Sequence, residues 1–325
     1  GRVSGKAILR RMRICGCGGT DEGFLGGFDY LGKHFPKHSA KIVFANDFEP
    51  SACLLYKQNF GMEPDSRDIR KIEGCELPEC DIVLGGFPCQ SFSVVAQNPP
   101  RLGVKSEKGM LFFEMCRILK EKKPKVFLAE NVKGILSANC GKAFPLILKE
   151  FSNCGYTVSW KLLKAVDFGI PQKRERVIIV GVRNDLHKTF TFERLPTRSP
   201  INYVPLKTVL ENNIDSKYYF SKRAVDGMKR VQSTMNKGRA QNIDEPSNTV
   251  ASHLAKVSLN STDPVLFMNG KYRRFTPREV ARIQSFPDSY QLVGSEHNQY
   301  KALGNAIAPV MLWYVSDQII RQIFK

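Results

Sequence analysis

Three short apolar runs, Asp81–Leu84, Val126–Ala129 and Val177–Val182, each carry a chemically competent polar group at one end. Runs of this length bounded by turn residues read as buried strands of an α/β sheet. After the first, Gly85-Gly86-Phe87-Pro88-Cys89-Gln90-Ser91-Phe92-Ser93 halts the strand abruptly, so Cys89 is expected on a rigid corner at the strand's carboxyl end. Ligands of open α/β sheets collect at that edge. A lone loop cysteine is usually inert, so Cys89 gains meaning only from its company. Glu130-Asn131-Val132 closes the second run and Gln172-Lys173-Arg174-Glu175-Arg176 opens the third. Three strands that each end in such a group are hard to explain as packing.

A chain of 325 residues suits two domains, or one large domain with an insert, and a hydrophobic fraction of 42% excludes wholesale disorder. The formal net charge of +18 suits a partner rich in phosphate. It also suits an anionic membrane surface, but no apolar run approaches the ~20 residues of a bilayer span and no secretory signal is visible, so a soluble intracellular protein is expected. Nine cysteines form no Cys-x-x-Cys pair and no zinc set, so reduced thiols and no metal are expected.

Residues Gly1–Arg11 are basic and unpatterned, and Met12 is expected as a natural start. The stretch Ile14-Cys15-Gly16-Cys17-Gly18-Gly19-Thr20-Asp21-Glu22-Gly23-Phe24 permits a tight strand-to-helix turn with close backbone approach to a ligand, although a plain turn accounts for the glycines equally well. Lys41–Ala45 reads as a strand ending in Asn46-Asp47-Phe48-Glu49, where a carboxylate can accept the hydroxyls of a ribose and an aromatic can cover a base. A helix-leading acid with Phe48 in the core is the other reading. Val94–Lys108 has little periodicity and reads as a lid or binding loop. Gly109–Lys120 and Lys142–Phe151 show helical spacing, and Tyr156–Leu163 alternates as a strand.

From Arg183 the alternation stops. Across 184–244 cations outnumber acids and are interleaved with Tyr203, Tyr218, Tyr219 and Phe220, which suits a surface that tracks phosphates. Thr276-Pro277-Arg278-Glu279 reads as a capping box opening a helix. Gly304-Asn305-Ala306-Ile307-Ala308-Pro309 precedes an apolar terminal helix, Val310–Ile323.

In order and spacing these elements resemble the DNA cytosine-5-methyltransferase family, compact bacterial restriction-modification type, from about Ile14 to Val315. The resemblance implies an α/β fold, a Rossmann-like adenosylmethionine-dependent methyltransferase sheet, with a smaller, mostly irregular or β target-recognition domain. It implies a discontinuous catalytic and cofactor-binding domain, 1–185 plus 300–325, and a target-recognition domain, 186–299. S-adenosyl-L-methionine is the implied cofactor, held by Ile14, Gly16, Gly18, Gly19, Asp47, Phe48, Asp68, Ile69, Gly86, Leu111 and Asn305. Within that set Asp47 would take the ribose, Phe48 the adenine ring and Asp68 the adenine amino group. Ile14 stands where the family has an aromatic.

The chemistry implied is methylation of cytosine carbon 5, a weak nucleophile until a thiolate adds at carbon 6. Cys89 would be that thiolate, with Gln90 beside it. Glu130, its carboxyl kept partly protonated by burial, would bond ring nitrogen 3 and the exocyclic amine. Arg176 would donate to the cytosine carbonyl oxygen, while Arg174 and Gln172 would hold it or contact the backbone. The base must be flipped out of the duplex, and the Val94–Lys108 loop would close over it. Implied partners are double-stranded DNA, no membrane, a monomeric enzyme, and a restriction endonuclease as functional counterpart in the cytoplasm. A transfer-RNA cytosine methyltransferase and a weakly active nucleic-acid-binding homologue are the alternatives; residues 184–245 lack the Cys-Phe-Thr of the former.

Overall fold

The structure, a computed structural model, describes residues 9–13, 19–47, 49–86, 107–231, 240–255 and 263–325. Ile14, Gly16, Gly18, Phe48, Cys89, Gln90, the Val94–Lys108 loop up to Ser106 and the Leu111 side chain, all expected to matter above, lie outside the described residues. The first part of the chain alternates strands and helices: β1 Leu9–Arg13, α1 Gly19–Leu25, the hairpin β2 Phe28–Tyr30 and β3 Lys33–Phe35, β4 Ala40–Ala45, α2 Pro50–Phe60 and β5 Ile82–Gly86. There follow α3 Glu107–Lys122, β6 Val126–Val132, α4 Ala143–Asn153, β7 Tyr156–Lys164 and β8 Glu175–Arg183.

Six of these strands form one sheet in the order β4-β1-β5-β6-β8-β7. β1, β4, β5 and β6 run parallel, whereas β8 is antiparallel to both β6 and β7. That reversal sets the position of the third polar motif. The parallel strands carry their motifs after the apolar run and β8 carries its motif before the run, and only an antiparallel β8 brings both to one edge.

The period of two along each strand divides the core into two layers. Ile82, Leu84, Val126, Leu128, Ile178, Val180 and Val182 pack on one face with α8, Pro309–Ile319. Val83, Phe127, Ala129, Val177 and Ile179 pack on the other with Phe112, Met115 and Leu119 of α3 and Phe144, Ile147 and Phe151 of α4.

Past Arg183 the backbone proceeds through short 3-10 turns, α5 Lys222–Val231, the hairpin β9 Leu266–Met268 and β10 Lys271–Arg273, then α6 Pro277–Ile283 and α7 Glu296–Gly304. A third cluster gathers Leu206, Val209, Val250, Leu266, Phe275, Val280, Ile283, Phe286, Tyr300 and Leu303 around Ala52 and Leu55 of α2. Packing therefore crosses the sequence-level boundaries at both ends. Phe190, Phe192 and Leu195 belong to the α8 layer, and Tyr300, Ala302 and Leu303 to the third cluster.

The expected capping box opens α6: Thr276 Oγ1 accepts from Glu279 N at 3.1 Å, and Thr276 N donates to Glu279 Oε1 at 2.9 Å. Glu279 does more than cap. It is fully buried and receives both guanidinium nitrogens of Arg273, Nη1 at 2.7 Å and Nη2 at 2.9 Å, and the amide of Glu211 at 3.1 Å. The fold uses Arg273 to hold β10 against α6.

Candidate active site

In the β6–β8 ladder Glu130 aligns with Ile178 and Val132 with Arg176. Glu130 and Arg176 are therefore diagonal neighbours on one face, roughly 7–8 Å apart and within reach of long side chains. They meet there, Arg176 Nε lying 3.2 Å from Glu130 Oε1, with side-chain exposures of 13% and 16%. On the same face the preceding residues are Leu128 and Ile178, so the pair stands where the apolar layer gives out at the sheet's carboxyl edge. Gly86 is registered against Glu130 on the neighbouring strand, three residues before Cys89.

Burial raises the Glu130 carboxyl above its ordinary value, and the Arg176 guanidinium, then that of Arg174, opposes the shift. Burial also works against the charge on Arg176, with Glu130 restoring it. The arrangement offers a carboxyl whose protonation burial favours and a guanidinium side by side, able to engage a neighbouring donor–acceptor edge such as that of a nucleobase. Arg176 is itself aimed by a bond from Nη1 to the Glu175 carbonyl at 2.7 Å.

Arg174 and Gln172 take a different part. Arg174 is 4% exposed and donates to three main-chain carbonyls: Val250 at 3.0 Å through Nη1, and Gly304 at 3.1 Å and Ala306 at 3.3 Å through Nη2. Its head thus closes the turn between α7 and α8. Gln172, fully buried, accepts from Val250 N at 2.9 Å and donates to Ile283 O at 3.2 Å and Gln284 Oε1 at 2.8 Å. Gln284 in turn donates to Leu303 O at 2.6 Å. Ser247 N donates to Pro171 O and Lys173 N to Ser247 O, zipping the Pro246–Val250 segment onto the lead-in of β8. Gly304 lies so close to this segment that a Cβ would stand 2.3 Å from the Ala251 carbonyl. Sequence reasoning missed Gln284 and the closeness at Gly304; an amide following the apolar positions Val280, Ala281 and Ile283 was the available signal.

A second group of acceptors lies at the tip of β4. Asn46 forms a parallel bridge with Asp65, and its side chain donates to the carbonyls of Asp65 and Arg67, both at 2.8 Å. This fastens the segment leading to Asp68 alongside Asp47. Asp47 Oδ1 accepts from Glu49 N at 3.0 Å. Asp68 caps the turn holding the buried Ile69 and accepts from Arg70 N at 3.0 Å, and the Arg70 guanidinium, bonding its carboxylate, keeps that group ionised by lowering its pKa. Two carboxylates on one rim suit a ligand rich in hydroxyl and amino donors. Gly19 begins α1 on the neighbouring strand's connection, and Asn305 is exposed at the carboxyl cap of α7. Among the described residues no cluster of His, Cys, Asp and Glu suited to a metal is present.

Residues 14–321 match the family of C-5 cytosine-specific DNA methylases. The chain is 34% identical over 322 residues to the Type II methyltransferase M1.ScrFI of Lactococcus lactis subsp. cremoris, covering 96% of this chain and 78% of that protein. It is 35% identical to the Type II methyltransferase M.FnuDI of Fusobacterium nucleatum, covering 94% and 92% respectively. The fold is shared with the Entamoeba histolytica methyltransferase EhMeth (TM-score 0.74, 18% identity, 97% of this chain and 99% of that one). It is shared also with the S. pombe Dnmt2 methyltransferase (TM-score 0.71, 20% identity, 96% and 98%). With a family match across nearly its whole length and a mixed α/β sheet bearing the paired Glu130 and Arg176, the chain belongs to the C-5 cytosine-specific DNA methylases and is a DNA (cytosine-5-)-methyltransferase.

Proposed function

We propose that the protein methylates carbon 5 of a cytosine extruded from a specific double-stranded DNA sequence, through a covalent adduct with Cys89. The observation that carries the reading is the Glu130–Arg176 pair at 3.2 Å on the carboxyl edge of the sheet, beside the strand that leads to Cys89. S-adenosyl-L-methionine, when bound, supplies the methyl group from an activated sulfonium.

The chain's own residues prepare the base. Cys89 adds its thiolate to carbon 6 of the ring, turning carbon 5 into an enamine carbon, and later leaves as the carbon 5 proton is lost. Glu130, raised by burial, donates to ring nitrogen 3 and accepts from the exocyclic amine, drawing electron density away from carbon 6. Arg176 donates to the carbonyl oxygen at carbon 2 and fixes the carboxyl that it touches. Asp47 and Asp68 would accept from the ribose hydroxyls and the adenine amino group of the cofactor, with Ile69, Gly86, Gly19 and Asn305 completing the enclosure.

The catalytic and cofactor-binding unit would comprise 1–185 with 300–325, and the recognition unit 186–299. The enzyme would act as a monomer in the cytoplasm alongside a restriction endonuclease of matching specificity. No helix among the described residues is long and apolar enough to cross a membrane.

The test is incubation with a mixed duplex library, labelled S-adenosylmethionine and a 5-fluorocytosine trap. A covalent adduct that disappears in Cys89→Ala is expected. Transfer to RNA alone, or an adduct that survives the change, overturns the reading.

A further inference from the structure

The recognition region contains a small three-row antiparallel sheet. β9 and β10 are joined by Asn269-Gly270, with φ of 55° and 75°, the two-residue turn that matches strand twist and fixes the hairpin's register. Residues 218–220 form the third row: Tyr219 bridges Arg273, Phe220 N donates to Tyr272 O at 3.0 Å and Arg274 N to Tyr218 O at 3.0 Å. Leu266 and Arg273 are buried on the inner face. Register places Phe220, Tyr272 and Phe267 in one row on the opposite face, with Tyr218 and Arg274 beside them.

Phe267 is 51% exposed, and its ring lies 4.6 Å from that of Tyr272. A half-exposed phenyl ring stacked on a tyrosine leaves apolar surface that a partner could cover. Cations surround the row. The Arg274 and Lys217 head groups each lie 5.1 Å from the Tyr218 ring, and Lys222 and Arg223 are exposed just beyond Phe220. Facing acids are few: Glu296 pairs with Lys217 at 2.9 Å and Arg274 at 3.9 Å, and Asp215 caps the turn at 216–218. The positive excess excludes a cationic partner. Aromatic rings in a row with cations at their margin have the chemistry that takes bases on their faces and phosphates at their edges.

We propose that the Phe220–Tyr272–Phe267 face is a stacking platform for unpaired nucleotides of a DNA strand. It rests on the reaction above only for the origin of such nucleotides, which arise where a base leaves the duplex stack.

The experiment uses the full chain and fluorescein-labelled dT12, followed by anisotropy across a salt series. Phe267→Ala is expected to bind about five- to a hundred-fold more weakly with the salt slope unchanged, the loss of one stacked base, and Phe267→Trp to restore affinity. Lys222→Ala is expected to flatten the salt slope. Both side chains are exposed, so the variants should melt like the parent, and melting is checked in each. Equal affinity of Phe267→Ala and the parent, or no dT12 binding by the parent, overturns the platform. Methyl transfer to duplex DNA is measured in parallel. Transfer with unchanged dT12 binding in Phe267→Ala defeats the platform alone, whereas absent transfer with the expected loss supports the platform and defeats the reaction.

Discussion

Arg176 and Glu130 belong to antiparallel neighbours, and their 3.2 Å contact exists because β8 enters the sheet at the edge where β6 leaves it. The guanidinium lowers the carboxyl's pKa while burial raises it, and burial dominates. Glu130→Gln keeps the shape and removes the acid. DNA binding should persist while turnover falls about 10²–10⁴-fold, the range for loss of a positioned proton donor. Single-turnover methyl transfer and DNA affinity, measured on the same variant, check this; unimpaired turnover would remove Glu130 from the mechanism.

The same shift gives stability a pH dependence of defined sign. A carboxyl with a raised folded-state pKa stabilises the native state below its unfolded value, and that contribution is lost as pH rises through the folded pKa. The melting temperature of Glu130→Gln relative to the parent should therefore climb between the ordinary carboxylate range and neutrality. A difference that stays flat across that window would mean that Glu130 is not raised.

Arg174 separates from Arg176 by function despite lying two residues away. Arg174→Ala leaves three buried carbonyls without their donor, each costing about 1–3 kcal/mol. Arg176→Ala removes its contact with Glu130 and its bond to the Glu175 carbonyl, both at the edge of the site. Urea unfolding should show a large loss for the first and a small one for the second, with turnover lost in the second at near-parental stability. Comparable stability losses would reject the distinction.

The strands bearing these groups were legible because each combined an apolar run with a polar end, and β4, β5, β6 and β8 formed where Lys41–Ala45 and the three runs predicted them. What could not be read was which neighbour each polar side chain would find. Gln172, Arg174 and Arg176 alternate in one motif, yet the first two are consumed by Val250, Gln284, Gly304 and Ala306, residues whose proximity depends on the return of α7 to the sheet. The same holds for Arg273, whose partner Glu279 reaches it only after α6 folds back on β10.

That buried pair supports the last prediction. Arg273 and Glu279 are 1% and 0% exposed, and Glu279 also holds Thr276 N and Glu211 N, so its charge is satisfied from several directions. Removing one partner strands the other in a medium that cannot solvate it, and such changes cost about 3–5 kcal/mol. Arg273→Met should lower the urea midpoint accordingly. Glu279→Gln loses the charge and, with one oxygen replaced by a donor NH2, keeps a bond to only one of the two amides, so it should lower the midpoint as well. The double variant Arg273→Met with Glu279→Gln should recover part of the loss, because no uncompensated charge remains. A strictly additive double variant would show that the two side chains stabilise the recognition region independently, through packing and capping rather than through their ion pair.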